Sequence, residues 1–291
     1  MENCKAISTP VTIGEKLSSQ GDFKEVCKTS YRSLVGCLLY LTSTRLDIMY
    51  AVSLLSRFMH CCNESHYRAA KRVLRYIKGT LNYGMVFEKA EHLELTGYTD
   101  SDWAGSSDDM RSTSGYAFSL GSGMFCWSLR NQSLVAQSTA EAEYVVAAAA
   151  VNQAIWLRKI MTDLNLELNG ATRIYCDNKS AIAIAKNPVF HWRTNHFNIK
   201  LHIIREMEQA EEVELVHCNP KDQTSDILTK ALNKLRFCKL RDQLGVYCIK
   251  SKEEWSNVAF MQSMQPMQPN EAENEIAKVA MHTCRMEAKI E

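Results

Sequence analysis

Apolar residues recur every three to four positions over the first part of the chain, and this spacing predicts three helices. The first is predicted from near Tyr31 to Leu41 and the second over 47–60. The third has both ends marked, because Asn63 is a suitable N-cap and Gly79 stands where a glycine stops a helix. Residues 1–92 are therefore predicted to form a small helical unit, with no sustained period before the first helix.

From about residue 93 the pattern changes to an alternation of apolar and polar residues, which is typical of strands. Residues 93–99 predict a strand that ends at Asp100. Two further runs, 115–120 and 124–129, flank a Gly-Ser-Gly turn and predict a hairpin. A short strand is also predicted over 133–136.

Helices and strands then alternate. A capping box at 138–141 opens a helix that is predicted to run to about Leu164. The following predicted elements are a strand over 172–176, helices over 180–186 and 194–209, a strand over 213–217 and a last helix that starts at 221–223. Residues 93–247 are therefore predicted to form an α/β domain with a mixed sheet. Residues 248–291, which include a stretch rich in methionine, glutamine and proline, are predicted to be a mobile tail.

Four carboxylates stand where predicted strands end or predicted helices begin: Asp100, Glu143, Asp177 and Asp226. Such positions can converge at one edge of a sheet, where four negative charges cost stability unless divalent ions neutralise them. Without a matching His or Cys set, these ligands suit two Mg²⁺ or Mn²⁺ ions and phosphodiester chemistry. His217, before Asp226, is a candidate proton shuttle. Each acid alone also has a structural interpretation, as a helix cap or a surface residue.

The third predicted helix carries a basic face. At about 100° per residue, five bases share one third of its circumference, against the single acid Glu64. A solvated surface explains such a face, and contact with nucleic-acid phosphates is the alternative. The five bases are Arg68, Lys71, Arg72, Arg75 and Lys78.

Composition excludes some classes of protein. The 291 residues carry 34 Lys and Arg against 33 Asp and Glu, so any nucleic-acid contact must come from a local patch. Eleven scattered cysteines, an odd number, favour reduced thiols in a cytoplasmic or nuclear protein over a secreted disulfide scaffold. No apolar stretch approaches membrane-spanning length and no signal-peptide pattern opens the chain, so neither membrane insertion nor secretion is expected.

Several motifs resemble the ribonuclease H domain of copia-type LTR retrotransposon polyproteins, and they occur in that family's order. They are YTDSDWAG at 98–105, STAEAEY at 138–144, YCDNKSA at 175–181, RTNH at 193–196 with His202 and Arg205 beyond it, and DILTK at 226–230. Upstream, YRSLVG at 31–36, TRLDI at 44–48 and LRYIKGT at 74–80 are similar to the segment that joins the family's reverse transcriptase to its ribonuclease H. Leu46, Asn198 and Ser225 depart from the expected proline, acid and alanine, and none of these removes a catalytic carboxylate.

The resemblance implies an α/β, ribonuclease H-like fold, with a mixed five-stranded sheet, flanking helices and a helical connection segment before it. It implies that Asp100, Glu143, Asp177 and Asp226 are catalytic and hold the two ions. Glu143 is chosen over Glu141 because the capping box already uses Glu141, and because Ala147 follows Glu143 at the spacing the family favours. Asp100 is chosen over Asp102 because Asp102 is expected to lie beyond the end of the strand.

The implied activity is a metal-dependent endonuclease that cuts the RNA strand of an RNA–DNA hybrid. The basic helix, together with Arg193 and Lys200, would then hold backbone phosphates. No Tyr-x-Asp-Asp motif of a polymerase palm occurs in the sequence, so the chain is not expected to polymerise DNA unaided, and a reverse transcriptase module would be supplied elsewhere. An integrase-like polynucleotidyl transferase is a related alternative. The rival of another class is a catalytically silent transposon remnant that binds nucleic acid or only folds.

Overall fold

The computed structural model of the chain describes residues 3–19, 24, 26–89, 93–166, 168–186 and 198–249. Of the predicted tail at 248–291, the structure describes Cys248 and Ile249, and the rest lies outside the described residues. Eight helices are found in the described residues: α1 (Lys28–Leu41), α2 (Met49–Ser56), α3 (Glu64–Gly79), α4 (Thr139–Asp163), α5 (Lys179–Lys186), α6 (Asn198–Gln209), α7 (Asp226–Thr229) and α8 (Lys234–Gln243). The strands are β1 (Tyr83–Met85), β2 (Leu95–Asp102), β3 (Thr113–Leu120), β4 (Met124–Asn131), β5 (Thr172–Cys176), β6 (Val213–His217) and β7 (Val246–Cys248).

Five of the strands form one mixed sheet in the spatial order β4-β3-β2-β5-β6. The strands β2, β3 and β4 make an antiparallel meander, and β5 and β6 continue the sheet in parallel on the other side of β2. This is the ribonuclease H-like arrangement that the resemblance implied, so the predicted fold class is confirmed. The order places the ends of β2 and β5 side by side, because these two central strands are parallel neighbours.

Each face of the sheet is covered by its own hydrophobic core. On one face, α4, α5 and α6 pack against the sheet. This core contains Val146 and Leu157 of α4 and Ile174 of β5. On the other face, residues of α1, α2 and α3 pack with Trp127 of β4 and with residues of α7 and α8. The helical unit therefore shares a core with the sheet, and β1 pairs with β7 after α8. The predicted boundary at residue 92 does not separate two cores, and the division into modules there remains a proposal.

A buried ion pair fixes the start of α2 against the end of α3. The guanidinium of Arg45 binds Asp47 through Nη2 at 2.8 Å and Nε at 2.9 Å, and Arg45 Nη1 donates to the carbonyl of Thr80 at 2.9 Å. The hydroxyl of Tyr76 donates to Asp47 Oδ2, the oxygen that also accepts from Arg45 Nη2. Because the charges of Arg45 and Asp47 compensate each other, the pair can be buried beside the core that α1, α2 and α3 form.

Several predicted boundaries were wrong. The strand β2 continues to Asp102, two residues past its predicted end, because Ser101 and Asp102 still pair with β3. The predicted helix over 47–60 starts with a 3-10 turn at Leu46–Ile48 and ends at Ser56. The predicted last helix is divided into a 3-10 turn at Pro220–Asp222, α7 and α8. Residues 133–136 form a loop.

Within the described part of the chain, no helix is both long and apolar enough to cross a membrane. The ten cysteines in that part are free thiols.

Candidate metal centre

The four predicted acids come from four different elements of the fold. Asp100 lies inside β2, and Asp177 follows β5 directly. Glu143 is in the second turn of α4, and Asp226 is the first residue of α7. Because β2 and β5 are parallel neighbours, the first two acids meet at one edge of the sheet, where α4 and α7 approach it from opposite faces.

Distances between oxygen atoms connect all four acids through Asp177. One carboxylate oxygen each of Asp100, Asp177 and Asp226 lie within 4.8 Å of one another. A second group, formed by Glu143, Cys176 and Asp177, satisfies the same distance. Asp100 is fully buried, Glu143 and Asp226 are 4% and 5% exposed, and Asp177 is half-buried. We call these four residues the acid cluster.

Glu141 and Glu143 make different hydrogen bonds, as the predicted capping box implies. Ser138 caps α4 by accepting from the amide of Glu141 at 3.2 Å, and the Glu141 carboxylate accepts from the amide of Gln137 at 2.7 Å. Glu143, half a turn further on, instead accepts from the amide of Ser101 at 2.9 Å. This bond ties α4 to β2 beside Asp100.

The reason given for preferring Asp100 over Asp102 was wrong, because both residues lie in β2. What distinguishes them is their surroundings. Asp102 is partly exposed, and only Asp100 belongs to the group of close carboxylates with Asp177 and Asp226.

Two cationic side chains of the protein bind the acid cluster. The ammonium of Lys230 is 2.9 Å from Asp100 Oδ1 and 2.8 Å from Asp226 Oδ1. The hydroxyl of Thr229 donates to Asp100 Oδ2, and Arg236 Nη2 donates to Asp226 Oδ2. Both oxygens of Asp100 and of Asp226 therefore receive a hydrogen bond from the chain itself.

The surroundings oppose the negative charge of the cluster. Burial raises the pKa of Asp100, and Lys230 offsets part of that increase. Burial, followed by the charges of Asp100 and Asp177, raises the pKa of Glu143. Burial also opposes the charge of Lys230, but Asp100 and Asp226 outweigh this and raise its pKa above the usual range. The cluster thus favours a bound cation over four uncompensated carboxylates.

A thiol completes the buried side of the cluster. Cys176 Sγ lies 3.8 Å from Glu143 Oε2, and burial raises the pKa of this thiol well above its usual value. Because the thiol stays protonated, it is a weak hydrogen-bond donor to Glu143 rather than a thiolate ligand.

His217 lies at the open side of the cluster. It ends β6, pairs in register with Cys176 and is exposed. His217 is therefore on the strand next to the one that Asp177 follows. This position suits the predicted role in proton transfer, which stays a prediction.

The predicted phosphate-binding face of α3 is partly covered by the N-terminal segment. Arg72 donates to Thr9 Oγ1 at 3.0 Å, Arg75 to the carbonyl of Lys5 at 2.7 Å and Lys78 to the carbonyl of Cys4 at 3.1 Å. Arg68 and Lys71 are exposed, with the Lys71 ammonium 4.6 Å from the Tyr67 ring centroid. Arg193 and the side chain of Lys200 lie outside the described residues.

The position of α7 depends on a glycine in β3. Gly115 pairs with Asp100, and a Cβ at Gly115 would lie 2.9 Å from Leu228 Cβ and 3.1 Å from Thr229 Cγ2. We expect Gly115→Val to push α7 off the sheet and to lower the free energy of unfolding by about 1–3 kcal/mol, measured by urea denaturation.

Gly36→Ala is the matched control for Gly115→Val. Gly36 lies inside α1, and an added Cβ would meet nothing within 4 Å. We expect this variant to be about 0.5–1 kcal/mol more stable than the wild type, since alanine favours helix more than glycine does. If the Gly115→Val protein is as stable as the wild type, the position of α7 does not depend on the absence of a side chain at residue 115.

The residues present fit a hard divalent cation. Carboxylate oxygens are the ligands that Mg²⁺ and Mn²⁺ prefer. The Lys230 ammonium, held between Asp100 and Asp226, shows that a cation is accommodated there.

Comparison with known proteins gives the family. No protein-family model matches the chain. The chain is 41% identical over 246 residues to the retrovirus-related Pol polyprotein from transposon RE1 of Arabidopsis thaliana, which covers 84% of this chain and 17% of that protein. It is 36% identical over 248 residues to the retrovirus-related Pol polyprotein from transposon TNT 1-94 of Nicotiana tabacum, at 82% of this chain and 18% of that protein. The chain belongs to the retrotransposon Pol polyprotein family. It spans less than a fifth of the length of these relatives.

A solved structure is also similar to this Pol-family chain. It is the crystal structure of LC11-RNase H1 in complex with an RNA/DNA hybrid, at 14% identity and a TM-score of 0.36, covering 47% of this chain and 94% of that one.

Three residues that contact the acid cluster were not predicted from the sequence: Thr229, Lys230 and Arg236. The signal for Lys230 was present, because it follows Asp226 by four residues and is the C-cap of the short helix that Asp226 begins. Such pairs are common on exposed helix surfaces, and only the position of α7 over β2 and β3 turns this one toward Asp100. For Arg236 no local signal existed, since it lies in a different helix from Asp226.

Proposed function

We propose that this chain is the ribonuclease H module of a retrotransposon Pol polyprotein, a metal-dependent endonuclease that hydrolyses the RNA strand of RNA–DNA hybrids. The observation that carries the proposal is the convergence of four carboxyl groups from four elements, connected through Asp177 within 4.8 Å. Membership in the Pol family and a ribonuclease H-like sheet support it.

In this proposal Asp100, Glu143, Asp177 and Asp226 hold two Mg²⁺ or Mn²⁺ ions. When bound, such ions lower the pKa of a water and stabilise the leaving oxygen of a phosphodiester. The chain itself fixes the ligands: the amide of Ser101 orients Glu143, and Thr229 orients Asp100. His217 is exposed beside Asp177, where it would take up or release protons.

Phosphate contacts are proposed close to the acid cluster as well as on α3. Arg236 of α8 donates to both Asp226 and the carbonyl of Pro220. These bonds hold the turn at Pro220–Asp222, which carries Lys221, against α8. Lys221 and Lys234 are exposed there, and Arg68 and Lys71 are exposed on α3. Lysine and arginine side chains on such surfaces bind backbone phosphates without reading sequence.

Cleavage of a labelled hybrid tests the proposal. The purified chain, given Mg²⁺ or Mn²⁺, is expected to cut the RNA strand of an RNA–DNA hybrid. It is expected to leave the RNA duplex and the DNA duplex of the same sequence intact, and EDTA should abolish cleavage. The readout is the length of the RNA products on a denaturing gel.

The outcomes separate the alternatives. No cleavage with either ion, at enzyme in excess over substrate, would identify the chain as a catalytically silent remnant. Cutting of a DNA strand would favour a polynucleotidyl transferase instead. Cleavage that persists in EDTA would contradict the metal dependence.

A further inference from the structure

Lys230 holds a position that a surface lysine does not normally take. Its ammonium lies between the carboxylates of Asp100 and Asp226, at 2.9 and 2.8 Å, and both carboxylates are buried. The lysine side chain is itself 36% exposed, whereas the Asp100 side chain that it binds is fully buried. It is therefore a cation at the rim of the acid cluster with its charge directed inward.

The backbone fixes this placement. Lys230 is the C-cap of α7, and its amide donates to the carbonyl of Asp226 at 2.9 Å. The short helix packs against β3 at Gly115, where a side chain would collide with Leu228 and Thr229. Because α7 lies directly on the sheet, the residue that ends it is brought to Asp100 of the neighbouring strand.

A divalent ion bound by Asp100 and Asp226 would need the oxygens that Lys230 already uses. Hard cations bind carboxylate oxygens at about 2.0–2.6 Å, so such an ion and the ammonium would be like charges in contact. Sharing Oδ1 of both carboxylates would therefore bring the two cations into repulsive contact. Of the remaining two oxygens, one receives Thr229 and the other Arg236.

We propose that Lys230 is the internal counter-ion of the acid cluster, and that a divalent ion must displace it from Asp100 and Asp226 in order to bind. The lysine holds the carboxylates together in the metal-free protein and raises the metal concentration that the site needs. This inference rests on the proposed metal-binding function and adds a competitor within the chain.

The test compares wild type with Lys230→Met and Lys230→Gln, using the full chain stripped with EDTA. Binding of Mn²⁺ alone is measured by titration calorimetry, and the melting temperature is measured with and without Mn²⁺. Without metal, both variants are expected to melt below the wild type, because the acids lose their counter-ion. Their dissociation constant for Mn²⁺ is expected to fall roughly tenfold or more, since a competing charge has been removed.

Lys186→Met is the matched control. Lys186 is a partly exposed lysine whose ammonium lies 3.9 Å from Glu208, in a pair made by α5 and α6 rather than by the acid cluster. We expect the Lys186→Met protein to have the same Mn²⁺ affinity and the same melting temperature as the wild type. The glutamine variant keeps a hydrogen-bond donor without the charge, so it serves if the methionine variant does not fold.

If the wild type binds Mn²⁺ and the Lys230 variants bind it no more tightly, the counter-ion proposal is wrong. That result would not contradict the proposed nuclease function. A wild type and variants that all bind no Mn²⁺ at millimolar concentration would overturn both.

Discussion

Asp100→Asn is expected to lower the rate of the proposed metal-dependent hybrid cleavage by roughly 10³-fold or more. Asp100 is the fully buried member of the acid cluster, and its carboxylate is shared with Asp177 and Asp226 in one group of close oxygens. Asparagine has nearly the same shape but brings no negative charge to the ligand set. The measurement is the single-turnover rate of RNA-strand cleavage with saturating Mg²⁺.

The fold should survive this change. Burial raises the pKa of Asp100, so the folded metal-free protein binds a proton there more readily than the unfolded chain does. An ionised Asp100 is therefore unfavourable to folding, and the neutral asparagine should leave the metal-free melting temperature unchanged or higher. The increase in melting temperature that we expect Mg²⁺ to give the wild type should be lost in this variant.

Asp102→Asn is the control, because Asp102 lies on the same strand two residues further along. It is partly exposed and outside the group of close oxygens, so we expect it to keep at least about a tenth of the wild-type rate. If Asp100→Asn cleaves as fast as the wild type, or if Asp102→Asn is the more damaged variant, the assignment of the catalytic acid is wrong.

Asp47→Ala is expected to lower the free energy of unfolding by about 3–5 kcal/mol. It leaves the guanidinium of Arg45, which is 5% exposed, without its negative partner, and it takes the acceptor from the hydroxyl of Tyr76. Because α1, α2 and α3 share a core with Trp127 of β4, we expect a single cooperative transition for helices and sheet together. Urea denaturation followed by tryptophan fluorescence and by circular dichroism measures both quantities.

Glu94→Ala removes an ion pair of the opposite kind. Glu94 lies 3.4 Å from Arg173, and both side chains are more than half exposed. We expect a change within about 1 kcal/mol, as for other surface pairs. An Asp47→Ala protein that loses no more than Glu94→Ala, or in which the helices unfold separately from the sheet, would contradict the shared core.

Local patterns placed most of the elements correctly. The strands over 172–176 and 213–217 have the predicted bounds, and Asn63 and Ser138 cap α3 and α4 as their side chains suggested. These features depend on neighbours a few residues apart, which the sequence displays directly. The errors lie where distant parts of the chain decide. Two of them are the extension of β2 to Asp102 through pairing with β3 and the division of the last predicted helix.

The site shows the same division. The four acids were identified one by one from strand ends, a capping box and a family resemblance, and the structure brings them together through Asp177. The basic face of α3 was also visible in the sequence, yet residues 4–9 occupy three of its five side chains. A helical pattern shows that a face exists, and it does not show which other segment covers that face.

By itself, the sequence determined most element types, because spacing and capping are local properties, and the family resemblance supplied the fold class and the choice of the four carboxylates. Only the tertiary structure decided what neutralises those carboxylates. Lys230 reaches Asp100 across 130 positions of the chain, and Arg236 reaches Asp226 from another helix. The physical reason is that a buried charge is stabilised by whatever opposite charge the packing brings within a few ångströms, and packing depends on contacts between residues far apart in the chain.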